Sequence, residues 1–202
     1  MKKVIAVFLS VFMLVGIAGC SSKEKSPEEV VTITLDALKK GDYIKASKYV
    51  DYEELMDRTD EIDMKELEGL NYEDMKPELE KLATLMFKNL DYKILSSEEE
   101  KASAVVKAEI TNIDMSEVLG EVFLQMFALA FSGIDEEEMN KKVLETLTES
   151  MSQEGRTLAT NTVDIELVKE KDNWKINVTD TLLDGIFGGI ITTMEEMQKS
   201  FE

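Results

Sequence analysis

The residue types that carry most protein chemistry are scarce in this chain. Its 202 residues include no His and a single Cys, Cys20. That excludes Ser-His-Asp and Cys-His catalysis, Cys/His zinc sites and the common His ligation of haem. Carboxylates, by contrast, abound: 42 Asp and Glu face 23 Lys and Arg, for a net charge of −19. One buried acid beside a charged one can do acid–base work, but among so many carboxylates close pairs also arise by chance. Asp57, Asp60 and Asp63 recur at i, i+3 and i+6, and Asp135-Glu136-Glu137-Glu138 is a dense run. Neither has the spacing and central Gly of a calcium loop, so both read as solvated faces, with Asp135 capping a helix. Met194 and Met197 offer two thioethers, but their neighbours Ile190 and Phe201 mark an ordinary packed face. Trp174 is expected to pack against helices rather than stack on a sugar. No metal or cofactor is expected. Nucleic acid is an unsuitable partner, because no surplus of cations is there to neutralise phosphates.

The lone cysteine has a specific setting. Met1-Lys2-Lys3 is a basic start, and Val4 to Ile17 is an apolar stretch of 14 residues. That is too short to span a bilayer but suits a secretion signal. It ends in Ile17-Ala18-Gly19-Cys20, which resembles a bacterial lipobox. The resemblance implies cleavage after residue 19 and a diacylglycerol thioether on Cys20. Each buried methylene of the acyl chains (palmitate among them) contributes ~0.8 kcal/mol, so two or three chains anchor stably. The chain therefore divides into a signal peptide (1–19), the lipidated Cys20 with a short polar tether (20–25), and one ectodomain (26–202). Losing Lys2 and Lys3 with the leader takes the net charge from −19 to −21. The tether reaches only about 17 Å when extended, which places the ectodomain near the outer face of the cytoplasmic membrane. Ser21, where an Asp would signal inner-membrane retention, fits a single-membrane bacterium.

Those features need a framework, and the sequence punctuates one. Ser26-Pro27-Glu28-Glu29 supplies a capping Ser, a Pro at the first helical position and a Glu that completes a capping box. Val30, Ile33, Thr34, Ala37 and Leu38 recur at helical spacing, Gly41 closes the helix, and Asp42 caps a short second one. Residues 51–74 read as an acidic loop with a turn or two of helix. A third helix is expected from about Asp74 to Asn89, with Pro77 in its first turn. Strand alternation follows: Tyr92 and Ile94, then Ala104, Val106, Ala108 and Ile110. A helical insertion (about 115–152) interrupts the strands. Val163, Ile165 and Leu167, a turn at residues 171–173, then Trp174, Ile176 and Val178 form the clearest hairpin. One amphipathic helix is expected to run from about Asp180 to the end, with Ile186, Ile190, Met194, Met197 and Phe201 on one side. Helices followed by antiparallel strands indicate an α+β fold, N-terminal helices packed on a curved antiparallel sheet.

The run Pro27-Glu28-Glu29-Val30-Val31 and the stretch Leu35 to Ala46, with its Gly41-Asp42 turn, resemble the opening of nuclear transport factor 2-like (cystatin-like) domains. Asp172-Asn173-Trp174-Lys175-Ile176 is similar to the late hairpin of that superfamily. Many bacterial lipoproteins of unknown function share this layout. The resemblance implies helices closing one face of a curved sheet, with a cone-shaped pocket between them. Enzymes of that fold place Asp, His and Tyr in the cone, and this chain has no His to carry over.

The helix expected from about Ser116 to Ser132 is the candidate site. Glu117, Glu121, Gln125, Ala128 and Ser132 gather in one narrow stripe, while Leu119, Val122, Phe123, Met126, Phe127, Leu129 and Phe131 fill the remaining circumference. A helix covering one core needs an apolar arc of only ~100° or a little more, so this one is expected to be buried on two sides. Part of its face, at Phe123, Met126, Phe127 and Phe131, would line an apolar pocket or a partner groove. The expected function is a non-enzymatic binding or scaffold module on a lipid anchor, holding an apolar small molecule or a protein partner. The alternative is a carboxylate-based hydrolase or isomerase using the same cavity. The anchor is directly testable: Cys20→Ser should release the protein into the medium or leave an uncleaved precursor. Normal processing with unchanged membrane retention and no acyl chain would defeat it.

Overall fold

Ser26 sets the frame in the computed structural model, which describes residues 24–51, 72–129, 131–171 and 173–200. Its hydroxyl accepts from the Glu29 N–H at 3.2 Å, and the Glu29 carboxylate accepts from the Ser26 N–H at 2.9 Å. That capping box, with Pro27 next to it, starts α1 (Pro27–Lys39). The helix ends in a Schellman motif at Gly41, whose φ of +70° suits a residue without Cβ. The Gly41 N–H reaches Leu38 O at 3.0 Å and the Asp42 N–H reaches Ala37 O at 2.9 Å. Asp42 then caps α2 (Tyr43–Ser47) by accepting from the Lys45 N–H. The expected signal peptide, Cys20, most of the tether, the acidic stretch with Asp57, Asp60 and Asp63, Asp172 of the hairpin turn, and Phe201 lie outside the described residues.

Four strands form an antiparallel meander in the order β1 (Asp91–Glu99), β2 (Ser103–Ile113), β3 (Leu158–Glu170) and β4 (Asn173–Ile176), not closed into a barrel. The architecture is α+β, as expected, and the helical insertion falls between β2 and β3. Alternation decides the faces. Ala104, Val106 and Ala108 sit opposite Leu167, Ile165 and Val163, and all six are buried. The residues between them face water, where Lys107 pairs with Asp164 at 3.3 Å. α1 and α6 (Asp180–Ile186) cover the apolar face with Val30, Val31, Leu35, Leu182 and Ile186, around a fully buried Trp174. The free edge of β4 is covered by residues 49–51. Ile176 donates to Tyr49 O at 2.7 Å and accepts from Asp51 N–H at 2.9 Å.

A second apolar cluster lies at the far end of β2. There α3 (Tyr72–Lys88), α4 (Met115–Leu129) and α5 (Glu136–Ser152) bring Leu85, Met115, Val118 and Met151 around Ile113. Because α3 starts at Tyr72, Pro77 lies in its second turn rather than its first. The helix thus runs through a residue that removes one backbone hydrogen bond. Asn112 joins the two clusters. Its side-chain amide donates to Met86 O at 2.8 Å and Ile186 O at 2.7 Å, and its carbonyl oxygen accepts from Ile113 N–H at 2.8 Å.

The expected single C-terminal helix is broken in two. α6 stops at Ile186, and α7 (Ile190–Lys199) restarts after Gly188 and Gly189, whose φ values are +61° and +84°. A Cβ on Gly188 would stand 1.8 Å from Ile113 O, and the Gly188 carbonyl accepts from Met115 N–H at 3.0 Å. The chain must turn where the strand end presses on it, and periodicity alone does not report that contact. Met194, expected on the packed side, is exposed. Asn112→Ala should cost about 3 kcal/mol in chemical denaturation, since it strands two buried carbonyls and one N–H. A loss below about 1 kcal/mol would show that the junction is dispensable.

Candidate functional site

Between the two N-terminal helices and the sheet lies a cavity of about 250 Å³. α1 contributes Val31, Leu35 and Leu38, and the sheet contributes Ile165 and Ile176. α6 closes it with Leu182, Leu183 and Ile186. The aromatic wall is continuous: Tyr43 lies 5.6 Å from Phe87, and Phe87 lies 5.8 Å from Phe187, both pairs tilted. Half-exposed Tyr43 stands at the mouth, beside the fully solvent-facing Ile44 of α2.

Among the described residues, three polar side chains line this space: Thr34, Tyr43 and Ser47. Each hydroxyl already donates to a backbone carbonyl: Thr34 to Val30 O at 2.8 Å, Ser47 to Ile44 O at 2.9 Å, and Tyr43 to Ala83 O at 3.2 Å. Among the described residues, no carboxylate, ammonium or guanidinium lines the cavity. A close acid–tyrosine pair, Asp36 with Tyr92 at 2.8 Å, lies outside it, between α1 and β1. Burial and the neighbouring Asp36 carboxylate push the Tyr92 hydroxyl up to about 12. Among the described residues the cavity thus offers shape and apolar surface but no group to move a proton. A recess of this lining suits apolar molecules.

The residues expected to form the site are elsewhere. α4 buries only Met115, Val118 and Val122, and packs against α5 and α7. Phe123 is 37% exposed, Met126 42%, Phe127 61% and Phe131 79%, with Leu124 beside them at 69%. Phe127 and Phe131 meet edge-on at 5.3 Å. The expectation of burial on two sides therefore fails. α4 begins where β2 ends, and its cluster touches the sheet only through Ile113. Among the described residues, no strand lies under its second half. None of the four residues lines the cavity. Of the residues that do, Thr34, Leu38, Ile165 and Ile186 were legible as apolar-face positions. Leu183 and Phe187 were not, because the helix break that turns them inward has no local signal.

The acidic stripe of α4 is a clamp. Arg156, after α5, places its nearly buried guanidinium on Glu121, with Nη1 donating to Oε1 at 2.7 Å and Nε donating to Ser150 O at 2.8 Å. Glu117 accepts from the Thr157 hydroxyl at 2.9 Å. Asp135 caps α5 as expected, accepting from Glu138 N–H at 2.9 Å. Among the described residues, no three acidic or Cys side chains gather as a metal site would need.

A family model described as a domain of unknown function (DUF5105) matches residues 65–191. A solved structure described as "a putative lipoprotein (ycdA) from Bacillus subtilis" aligns with a TM-score of 0.41 and 17% identity. The alignment covers 98% of this chain and 54% of that one, so the chain spans about half the length of this neighbour. No curated protein sequence matches.

The clamp has a pH signature. Hydrogen bonds from Arg156, then from Ser150, hold the Glu121 carboxyl down at about 2, against an ordinary 4.5. A depressed carboxylate contributes stability that is fully present above its unfolded value and is lost as pH falls through the folded one. Melting temperature should therefore drop between pH 4.5 and 2, and Glu121→Gln should flatten that limb while lowering stability at pH 7. An unchanged acid limb in the variant would show that Glu121 does not carry it.

Proposed function

The chain belongs to the DUF5105 family of domains of unknown function, and on that premise we propose that it is a lipid-anchored, extracytoplasmic, non-enzymatic binding module whose cavity holds an apolar ligand. The observation that carries this reading is the chemistry of the cavity wall. Leu, Ile, Val and Phe side chains line it, and its three hydroxyls are already committed to backbone carbonyls. A ligand entering such a space gains by leaving water and forms no obligatory polar contact, which favours a hydrocarbon chain or small ring over a charged metabolite. The nuclear transport factor 2-like resemblance implies a pocket between helices and sheet, and this space lies between α1, α2 and the sheet residues Ile165 and Ile176.

The location rests on Met1 to Cys20. A short apolar stretch ending in Ala18-Gly19-Cys20 is what signal cleavage and thioether acylation require. No helix among the described residues is long and apolar enough to cross a membrane. Membrane attachment then runs through the acyl chains on Cys20, with residues 26–202 as the ectodomain. The non-enzymatic reading is supported by the cavity wall, which among the described residues carries no carboxylate where a carboxylate-based hydrolase or isomerase would need one.

Filling the cavity tests the proposal. Ala46 is buried on α2 and contacts the cavity. The fluorescent probe N-phenyl-1-naphthylamine should bind the protein and be displaced by fatty acids. Ala46→Phe should weaken probe binding at least about tenfold, or ~1.4 kcal/mol. Equal binding by both proteins, or no probe binding by the native one, would refute the assignment.

A further inference from the structure

The hairpin of α4 and α5 carries a surface that the cavity does not use. From Val122 to Ile134 the chain has no Asp, Glu, Lys or Arg. A stretch of 13 residues without charge, in a chain that is 32% charged, normally belongs in a core. Here Val122 is buried, but the large side chains that follow it face water. Leu124, Phe127 and Phe131 stand at i, i+3 and i+7 on α4 and the turn after it, all exposed, with Phe123 and Met126 half-exposed beside them. Taking about 200 Å² for each large side chain, these five expose roughly 600 Å², at the upper limit of the largest apolar patch on a typical monomer.

The sequence that follows this patch is acidic. Asp135-Glu136-Glu137-Glu138 follows it directly, and no Lys occurs between Lys107 and Lys141. The nearby Arg156 is already bound to Glu121. We propose that this face docks a basic amphipathic helical segment of another polypeptide, its apolar residues lying along the Leu124–Phe127–Phe131 row and its Lys or Arg residues against the acidic run. The i, i+3, i+7 spacing is the one a helix presents to another helix. Charge selects the occupant. A second copy would bring the same acidic run and a net −19 to the contact. An anionic lipid surface would be repelled by it. A cationic helix is the complement of both the apolar row and its rim.

The test uses the full-length processed protein in phosphatidylcholine nanodiscs and a synthetic 18-residue helix of Leu and Lys, Leu on one face and Lys on the other. A matched peptide with Glu in place of Lys is the control. The native protein should bind the Leu/Lys helix, more weakly as salt rises, and should ignore the Leu/Glu helix. Phe127→Ser with Phe131→Ser should reduce binding at least tenfold with an unchanged melting temperature, because both side chains are exposed. Ala46→Phe, which blocks the cavity, should bind the helix normally, so this proposal and the cavity reading fail separately. Equal binding by the serine pair, or binding of the Leu/Glu helix, would overturn the proposal. Two-chain discs that the serine pair disperses would overturn it in favour of a second copy. Quenching of Phe127→Trp by brominated acyl chains in peptide-free discs would overturn it in favour of a bilayer.

Discussion

One buried amide holds the molecule together. Asn112 sits next to the last residue of β2 and is almost fully shielded. Its amide group donates to carbonyls in the final turns of α3 and α6, and its oxygen accepts from the following backbone N–H. Helix C-termini leave carbonyls with no partner within the helix, and a carbonyl buried without a partner costs about 1–3 kcal/mol. Two helices from different parts of the sequence can therefore end inside the protein only because one side chain satisfies both. The sheet core and the helical cluster around Ile113 meet at this point.

The cavity follows from that junction. α6 can cover the sheet because it is short, and it is short because Gly188 must pass within touching distance of Ile113 O. With α6 held there, Leu182, Leu183 and Ile186 face Val31 and Leu35 across a gap that Phe87 and Phe187 wall off. Nothing larger than Ala46 projects from the centre of α2 to fill it. The three hydroxyls around the space are turned to local carbonyls, which removes the polar groups that would draw water in. Both the size of the cavity and its apolar lining are consequences of how the helices end.

Charge is distributed with the same economy. A domain this acidic is self-repelling, and the nearly buried guanidinium of Arg156 is used to bind α4 to the end of α5 rather than to lower the net charge. The uncharged half of α4 lies beyond that clamp. Its aromatic face is exposed because the stabilising contacts, Glu121 to Arg156 and Val118 to Met115 and Ile113, are confined to the first turns.

The sequence determined what depends on neighbours along the chain. Ser26, Pro27 and Glu29 announce α1, Gly41 and Asp42 its end, and the alternation of Ala104 to Ile110 and Val163 to Leu167 the paired strands. Capping and alternation are local, so the residues that cause them are close in the sequence. The amphipathic period at Asp180 to Phe201 was equally clear but was cut by a contact with Ile113, about seventy residues away. Pro77 was legible as helix-compatible, while the true start of its helix was not. The breadth of the apolar face on α4 was also visible, and the inference that it must be buried was not met, because the strand that would lie beneath it stops at Ile113. The cavity was invisible from sequence: its residues read as ordinary core positions on six elements. Only the angle and length of those elements decide whether the space between them is filled, and Asn112 and Gly188 set both across the fold.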